Sequence, residues 1–141
     1  MATTTALTVK ELLAQAPEDQ RCELIRGEIV PMGTAKFRHE QVKSNANEVF
    51  VGYLLKNPIG RVYNETMYWL TETDALQPDL SLLLKDQIPA RAPDEVLGLA
   101  PAVVFEVVSS ESAANLEERV ELFLDVFPGF SVPASRFFEG L

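Results

Sequence analysis

The feature that most restricts the fold is an apolar run, AVVFEVV, at residues 102–108. A valine-rich segment that is apolar on both faces is typical of a central strand covered on both sides of its sheet. Glu106 interrupts this run, and a carboxylate in a buried strand costs free energy unless another group pairs with it. The run therefore predicts a sheet with helices packed on it, and it singles out one acid.

Segments of both secondary-structure types surround this strand. Apolar spacing predicts helices at residues 8–16 and 36–56, and Thr8 and Glu11 have the capping-box spacing at the start of the first. The remaining predicted elements are a hairpin at 22–32 turning at Gly27, strands at 61–65, 67–71 and 80–84, and a helix at 113–126. This order predicts an α/β fold with a mixed sheet.

The length of 141 residues fits one domain, residues 1–141, with an N-terminal helix in residues 1–20 and an atypical tail at 127–141. No stretch is long and apolar enough to cross a bilayer, and residues 1–10 lack the pattern of a secretory signal. Cys22 is the only cysteine, which excludes an internal disulfide. We therefore expect a cytoplasmic protein that does not associate with membranes.

The formal net charge of −9 is unfavourable for a protein that coats nucleic acid through a broad basic surface. It does not exclude a nuclease, because a bound metal ion can neutralise phosphate locally. The sequence contains neither of the common glycine-rich phosphate-binding motifs. Its single histidine also makes a serine-histidine-acid hydrolase an unfavourable interpretation.

Asp79 and Glu106 are the candidate metal-binding pair. Each lies in or beside an apolar strand, and one loop separates the two strands, so they could be neighbours in the sheet. Two carboxylates brought together need a cation, and oxygen ligands suit Mg²⁺ or Mn²⁺. Such a site can polarise a phosphodiester and generate hydroxide. The alternative is structural: Asp79 caps a turn after Pro78, and Glu106 reaches solvent or pairs with an arginine.

Five segments carry a resemblance to a known family. In order they are ELIRGEIV, a helix starting RHEQ, QPDLSLLL, VVFEVVSSES and EERVELFL. Together they resemble the Uma-type family of bacterial proteins, a branch of the PD-(D/E)XK restriction-endonuclease-like superfamily, over about residues 8–125. The resemblance implies that Pro78-Asp79 is the "PD" and Glu106 the following acid. It also implies a helix-flanked mixed sheet, cytoplasmic homodimers or small homo-oligomers, and Mg²⁺-dependent cleavage of DNA.

The sequence departs from the superfamily pattern at its lysine, because Val108 stands two residues after the acid. In the Uma-type branch the lysine usually lies on the following helix, and Arg119 occupies the matching position. Arginine keeps the positive charge, which makes Arg119 a third candidate catalytic residue, but it does not release its proton at ordinary pH. The alternative is a solvated helix residue paired with neighbouring glutamates.

The resemblance is lost at about Val126, as it would be in a truncated or frame-shifted gene. Proline and glycine in the following segment do not suit a strand interior. The tail is unusually aromatic, and its rings could pack into a gap or cover an exposed sheet edge. These residues are Phe127, Phe130, Phe137 and Phe138.

Three further residues are accessory candidates. The family often places a histidine at the start of its long helix, so His39 is a candidate contact to substrate phosphate or water; otherwise it is a residue at the edge of the core. Glu28 matches an acid in the family's first hairpin. It either adds a third carboxylate to the site of Asp79 and Glu106 or has no role beyond flanking the turn at Gly27. Gln77 holds the loop before Asp79.

These residues leave three hypotheses for the function. The first is a Mg²⁺-dependent DNA endonuclease. The second is a catalytically impaired nuclease-fold protein that acts as a binding or interaction module. The third is an acidic α/β interaction domain unrelated to nucleases. Convergence of Asp79 and Glu106 separates the first two from the third, and the behaviour of Arg119 separates the first from the second.

Overall fold

A computed structural model of the chain describes residues 6–15, 21–33, 35–107 and 128–141. They form two compact units. The first, called here the hairpin unit, comprises Met1–Thr34, Thr66–Gln77 and Pro89–Ala100. The second, the helix unit, comprises Ala35–Glu65, Pro78–Ile88 and Pro101–Leu141. Helices combined with two antiparallel sheets confirm the predicted α/β class.

The elements follow one another in an irregular alternation of helix and strand. They are α1 (Val9–Gln15), β1 (Cys22–Ile25), β2 (Glu28–Pro31), α2 (Phe37–Lys56), β3 (Gly60–Asn64), β4 (Tyr68–Thr71), β5 (Asp74–Leu76), β6 (Leu80–Leu84), a 3-10 turn (Lys85–Gln87), β7 (Val103–Phe105) and a second 3-10 turn (Ala134–Phe138). No helix within the described ranges has the length and apolarity needed to cross a bilayer. The predicted helix at 113–126 lies outside the described residues.

The hairpin unit contains a four-stranded sheet in the order β2-β1-β5-β4. The predicted turn between β1 and β2 is confirmed: Arg26 has φ 49° and Gly27 has φ 76°, the left-handed pair that a tight two-residue hairpin requires. The capping box of α1 is also present, because the Glu11 backbone N–H donates to Thr8 Oγ1 at 3.2 Å and the Thr8 N–H donates to a Glu11 carboxylate oxygen at 3.4 Å.

The helix unit contains an antiparallel sheet in the order β3-β6-β7, so β6 is its central strand. The predicted apolar stripe of α2 packs on this sheet, with Val42, Ala46, Phe50 and Leu54 buried. The aromatic tail joins the same core: Phe130 and Phe137 are buried, and both rings lie within about 6 Å of the Phe50 ring. The Asn45 side-chain amide donates to the backbone carbonyls of Phe137 and Glu139, each at 2.9 Å, and ties the tail to α2.

Two details of the sheets differ from expectation. A mixed sheet was predicted, but the ladders between the described strands are antiparallel. The parallel pairing among these residues is a single bridge between Tyr68 and Leu97. The strand expected at residues 102–108 ends at Phe105. It ends there because the Val107 backbone N–H donates to the side chain of Asp79. Glu106 therefore lies immediately after β7 and is half-buried.

Candidate functional site

The site is built around the carboxylate of Asp79, which immediately precedes the central strand β6. This residue is only 2% exposed. Its Oδ2 accepts a hydrogen bond of 2.8 Å from the Val107 backbone N–H and lies 3.2 Å from His39 Nε2. A buried carboxylate is tolerated only when polar groups satisfy it, and these two contacts do so from two directions. The unit thus holds one carboxylate in a fixed orientation at the end of its sheet.

Strand register aligns two further acids with Asp79. Leu80 pairs with Phe105 on β7 and with Asn64 on β3. If each register continued by one position, Glu106 would lie opposite Asp79 on one side and Glu65 on the other, and directly opposite residues in a ladder are about 5 Å apart between Cβ atoms. The Glu65 backbone N–H indeed donates to the Asp79 carbonyl at 3.1 Å. We call Glu65, Asp79 and Glu106 the acid row.

Glu65 is a member of this row that sequence reasoning missed. Its φ is +46°, in the left-handed region that side-chain-bearing residues seldom adopt. Residues held in this conformation are concentrated at functional sites. The only sequence signal is an acid directly after a β-rich run, and its alignment with Asp79 depends on a strand pairing between distant segments.

Helix α2 covers this end of the sheet with two polar residues one turn apart, His39 and Lys43. The Lys43 ammonium lies 2.8 Å from Glu65 Oε1 and 3.1 Å from Glu40 Oε2. Burial lowers the pKa of Lys43, but hydrogen bonds to Glu65 and Glu40 outweigh this effect and hold the pKa above its ordinary value. Lys43 is therefore a permanent positive charge beside the acid row.

Carboxylates exceed cations at the site. Among the described residues, Glu40 and Glu65 share the ammonium of Lys43, and Asp79 lies beside them with the His39 ring as its side-chain contact from α2. An excess of carboxylates favours a cation over an anion. The described residues contain no group of three or more histidine, cysteine or acidic side chains arranged to hold a metal ion. Mg²⁺ commonly needs only one or two carboxylates and keeps several waters, so the donor set of Asp79 and Glu106 fits it.

The other predicted site residues are placed as follows. His39 contacts the Asp79 carboxylate, and its expected contact to a substrate phosphate or water stays a prediction. Glu28 is exposed on β2 and belongs to the hairpin unit. Gln77 also belongs to that unit, and its backbone carbonyl accepts a hydrogen bond of 3.3 Å from the Arg21 guanidinium. Arg119 lies outside the described residues.

Comparisons with known proteins agree with this fold. The family model Uma2, described as "Putative restriction endonuclease", matches residues 9–126. The structure is similar to the crystal structure of a "putative nuclease belonging to DUF820" from Anabaena variabilis, with a TM-score of 0.66 and 18% sequence identity. The similarity covers 82% of this chain and 67% of that one, and at this identity it shows a shared fold. The sequence has no significant match among curated proteins.

Proposed function

The chain belongs to the Uma2 family, and on this premise we propose that it is a PD-(D/E)XK endonuclease that hydrolyses phosphodiester bonds in DNA with Mg²⁺ or Mn²⁺. The observation that supports the proposal is the register between β6 and β7, in which Leu80 pairs with Phe105, because the next residues along the two chains at that end are Asp79 and Glu106. The hydrogen bond from Val107 to Asp79 supports the same alignment.

In this proposal Asp79 and Glu106 hold the metal ion. When bound, the metal would polarise the phosphodiester and lower the pKa of a coordinated water. The Val107 N–H and the His39 ring orient the Asp79 carboxylate before any ligand arrives, which reduces the reorganisation that binding requires. In the same proposal, His39 contacts a substrate phosphate or a water. Arg119 offsets charge on the phosphate during cleavage.

A plasmid-nicking assay in Mn²⁺ tests this function. Glu106→Gln and Asp79→Asn remove one charge each and keep the side-chain size. A metal ion contributes several kcal/mol to such a reaction, so each variant is expected to lose about a hundredfold or more of the nicking rate. Glu48→Gln is the matched control, because Glu48 is an exposed acid on α2 that pairs with Arg136 in the tail.

The outcomes separate clearly. The proposal is supported if the wild type and Glu48→Gln nick the plasmid while Asp79→Asn and Glu106→Gln do not. Equal nicking by Glu106→Gln would overturn the assignment of the site. Circular dichroism of each variant distinguishes a lost site from a lost fold.

A catalytically impaired binding module is the second candidate function. It is favoured by Val108, which stands at the position of the superfamily lysine. Such a protein would bind a DNA duplex in Ca²⁺ but would not nick plasmid in Mn²⁺. Nicking that depends on Glu106 would exclude it.

We also propose that the protein is a cytoplasmic homodimer or small homo-oligomer. Strand β2 is at the edge of its sheet, and Ile29 and Val30 are exposed there, which leaves an apolar strand edge for a second copy. The tail is not needed for this contact, because Phe130 and Phe137 are buried against α2 of their own chain. Light scattering should show a dimer that Ile29→Lys converts to a monomer.

A further inference from the structure

Lys43 is unusual because it is a buried lysine within an acidic site. The residue is only 9% exposed, and lysine is seldom buried without partners. Its partners are Glu65, at the end of β3, and Glu40, one turn earlier on α2. The ammonium is therefore fixed between a helix and a sheet.

Stability alone does not explain this arrangement. The Glu40 and Glu65 side chains are 41% and 37% exposed, so water can solvate both carboxylates without help from Lys43. Buried ion pairs also contribute little net stability compared with apolar residues of the same size. An ammonium has three N–H donors, and the described partners use two of them. The proposed ligand would take the third donor.

Two separate connections link Lys43 to Asp79. Through α2, Lys43 lies four residues after His39 and hence on the same helical face, and the His39 ring contacts the Asp79 carboxylate. Through the sheet, Lys43 binds Glu65, whose backbone N–H donates to the Asp79 carbonyl. The ammonium is thus held beside the end of the sheet where Asp79 lies.

We propose that Lys43 binds a phosphate of the DNA backbone beside Asp79, with Glu40 and Glu65 holding its ammonium in place. This inference rests on the proposed function, since it assumes that the substrate is DNA. An anionic strand that approaches the acid row is repelled by three carboxylates, and a fixed cation there offsets the repulsion at one phosphate. Lys43 is in this sense a phosphate-binding residue, distinct from the proposed metal ligands.

The salt dependence of DNA binding tests the inference. The probe is a fluorescein-labelled 20-base-pair duplex, titrated in Ca²⁺ at several salt concentrations. Each phosphate contact contributes about 0.9 to the slope of log K against log salt, so Lys43→Met should reduce the slope by about that amount. It should also weaken binding about tenfold, as expected for a lost charge-assisted hydrogen bond. Lys56→Met is the matched control, because Lys56 is an exposed lysine in the last turn of the same helix.

The results distinguish failure of the inference from failure of the function. If the wild type binds the duplex and Lys43→Met is folded with an unchanged slope, the inference is overturned and the proposed function stands. If the wild type neither binds nor nicks DNA, both are overturned.

A second variant keeps the test decisive if Lys43→Met does not fold. Lys43→Gln removes the charge but keeps an N–H donor for the Glu65 carboxylate, so it should reduce the salt slope by about 0.9, as Lys43→Met does, while Lys56→Gln should not. Equal slopes for a folded Lys43→Gln and for Lys56→Gln would also overturn the inference.

Discussion

His39 Nε2 lies 3.2 Å from Asp79 Oδ2, and the same oxygen accepts a hydrogen bond from the Val107 backbone N–H. The carboxylate is therefore held by groups from α2 and from the segment after β7 at once. In the proposed metal site, this constraint would make Asp79 the residue on which metal binding depends most.

Divalent metal should stabilise the native chain through Asp79. With a Kd of about 1 mM, 10 mM Mg²⁺ or Mn²⁺ adds about 1.4 kcal/mol to the free energy of unfolding, or about 5 °C in Tm for a chain of this length. Asp79→Asn should remove the increase, and Glu48→Gln should keep it. Thermal unfolding followed by circular dichroism measures the effect. A wild-type Tm that does not respond to either metal would contradict metal binding.

Replacing Arg119 by lysine should increase nicking. The guanidinium supplies charge, but its planar fork is wider than an ammonium and would displace the water held near the metal. A misplacement of about 1 Å costs on the order of a hundredfold in rate, so Arg119→Lys should recover a large part of that factor. Arg119→Ala is the control and should be less active than the wild type. Strong wild-type nicking that Arg119→Ala does not reduce would show that another cation fills this role.

Phe137 and Phe138 form a matched pair for the contribution of the tail. Phe137 is 1% exposed, with its ring centroid 5.7 Å from that of Phe105, whereas Phe138 is 37% exposed. Phe137→Ala should lower the free energy of unfolding by about 3–5 kcal/mol, because it leaves a cavity in the core. Phe138→Ala should lower it by less than about 1 kcal/mol. Urea titration measures both values, and equal losses would show that the tail does not pack in this way in solution.

Asp74 should make the hairpin unit sensitive to acid. Its carboxylate accepts hydrogen bonds from the Thr71 hydroxyl at 2.6 Å and from the Arg26 backbone N–H at 2.9 Å, and these bonds, the Thr71 bond foremost, hold the pKa of Asp74 below its ordinary 3.8. A lowered pKa in the folded state adds stability above pH 3.8, and that stability is lost as pH falls through the folded value.

The test is a series of Tm measurements between pH 7 and pH 2. Asp74→Asn should lower Tm at pH 7, and the difference from the wild type should shrink below pH 3.8. Asp94→Asn, in an exposed loop, should match the wild type throughout. If the Tm difference between the wild type and Asp74→Asn stays constant down to pH 2, the charge on Asp74 does not contribute to stability.

Local rules were sufficient for the two α-helices of the described residues and for the hairpin. The Thr8–Glu11 capping box, the turn at Gly27 and the apolar stripe of α2 each involve residues close together in the chain, so their spacing predicts them directly. Strand β5 was missed because three residues, Asp74–Leu76, are too few to show a period.

The acid row required long-range information. Glu65 joins it only because β3 pairs with β6, and no pattern in the residues around Glu65 specifies that register. The same holds for the contact between Lys43 and Glu65, which are 22 residues apart. Pro78-Asp79 and Glu106 were predicted as site residues because each interrupts or opens an apolar run, and their role stays a prediction.

The left-handed backbone at Glu65 lowers the free energy of unfolding, whereas the Glu65 carboxylate contributes to the candidate site. A side chain in this conformation costs about 1–2 kcal/mol that glycine would avoid. Selection for thermal stability alone would therefore favour glycine at position 65, at the expense of the carboxylate that holds Lys43. Stabilised variants obtained by unguided screening should be checked at this position first, because a more robust protein without Glu65 would have lost part of its candidate site.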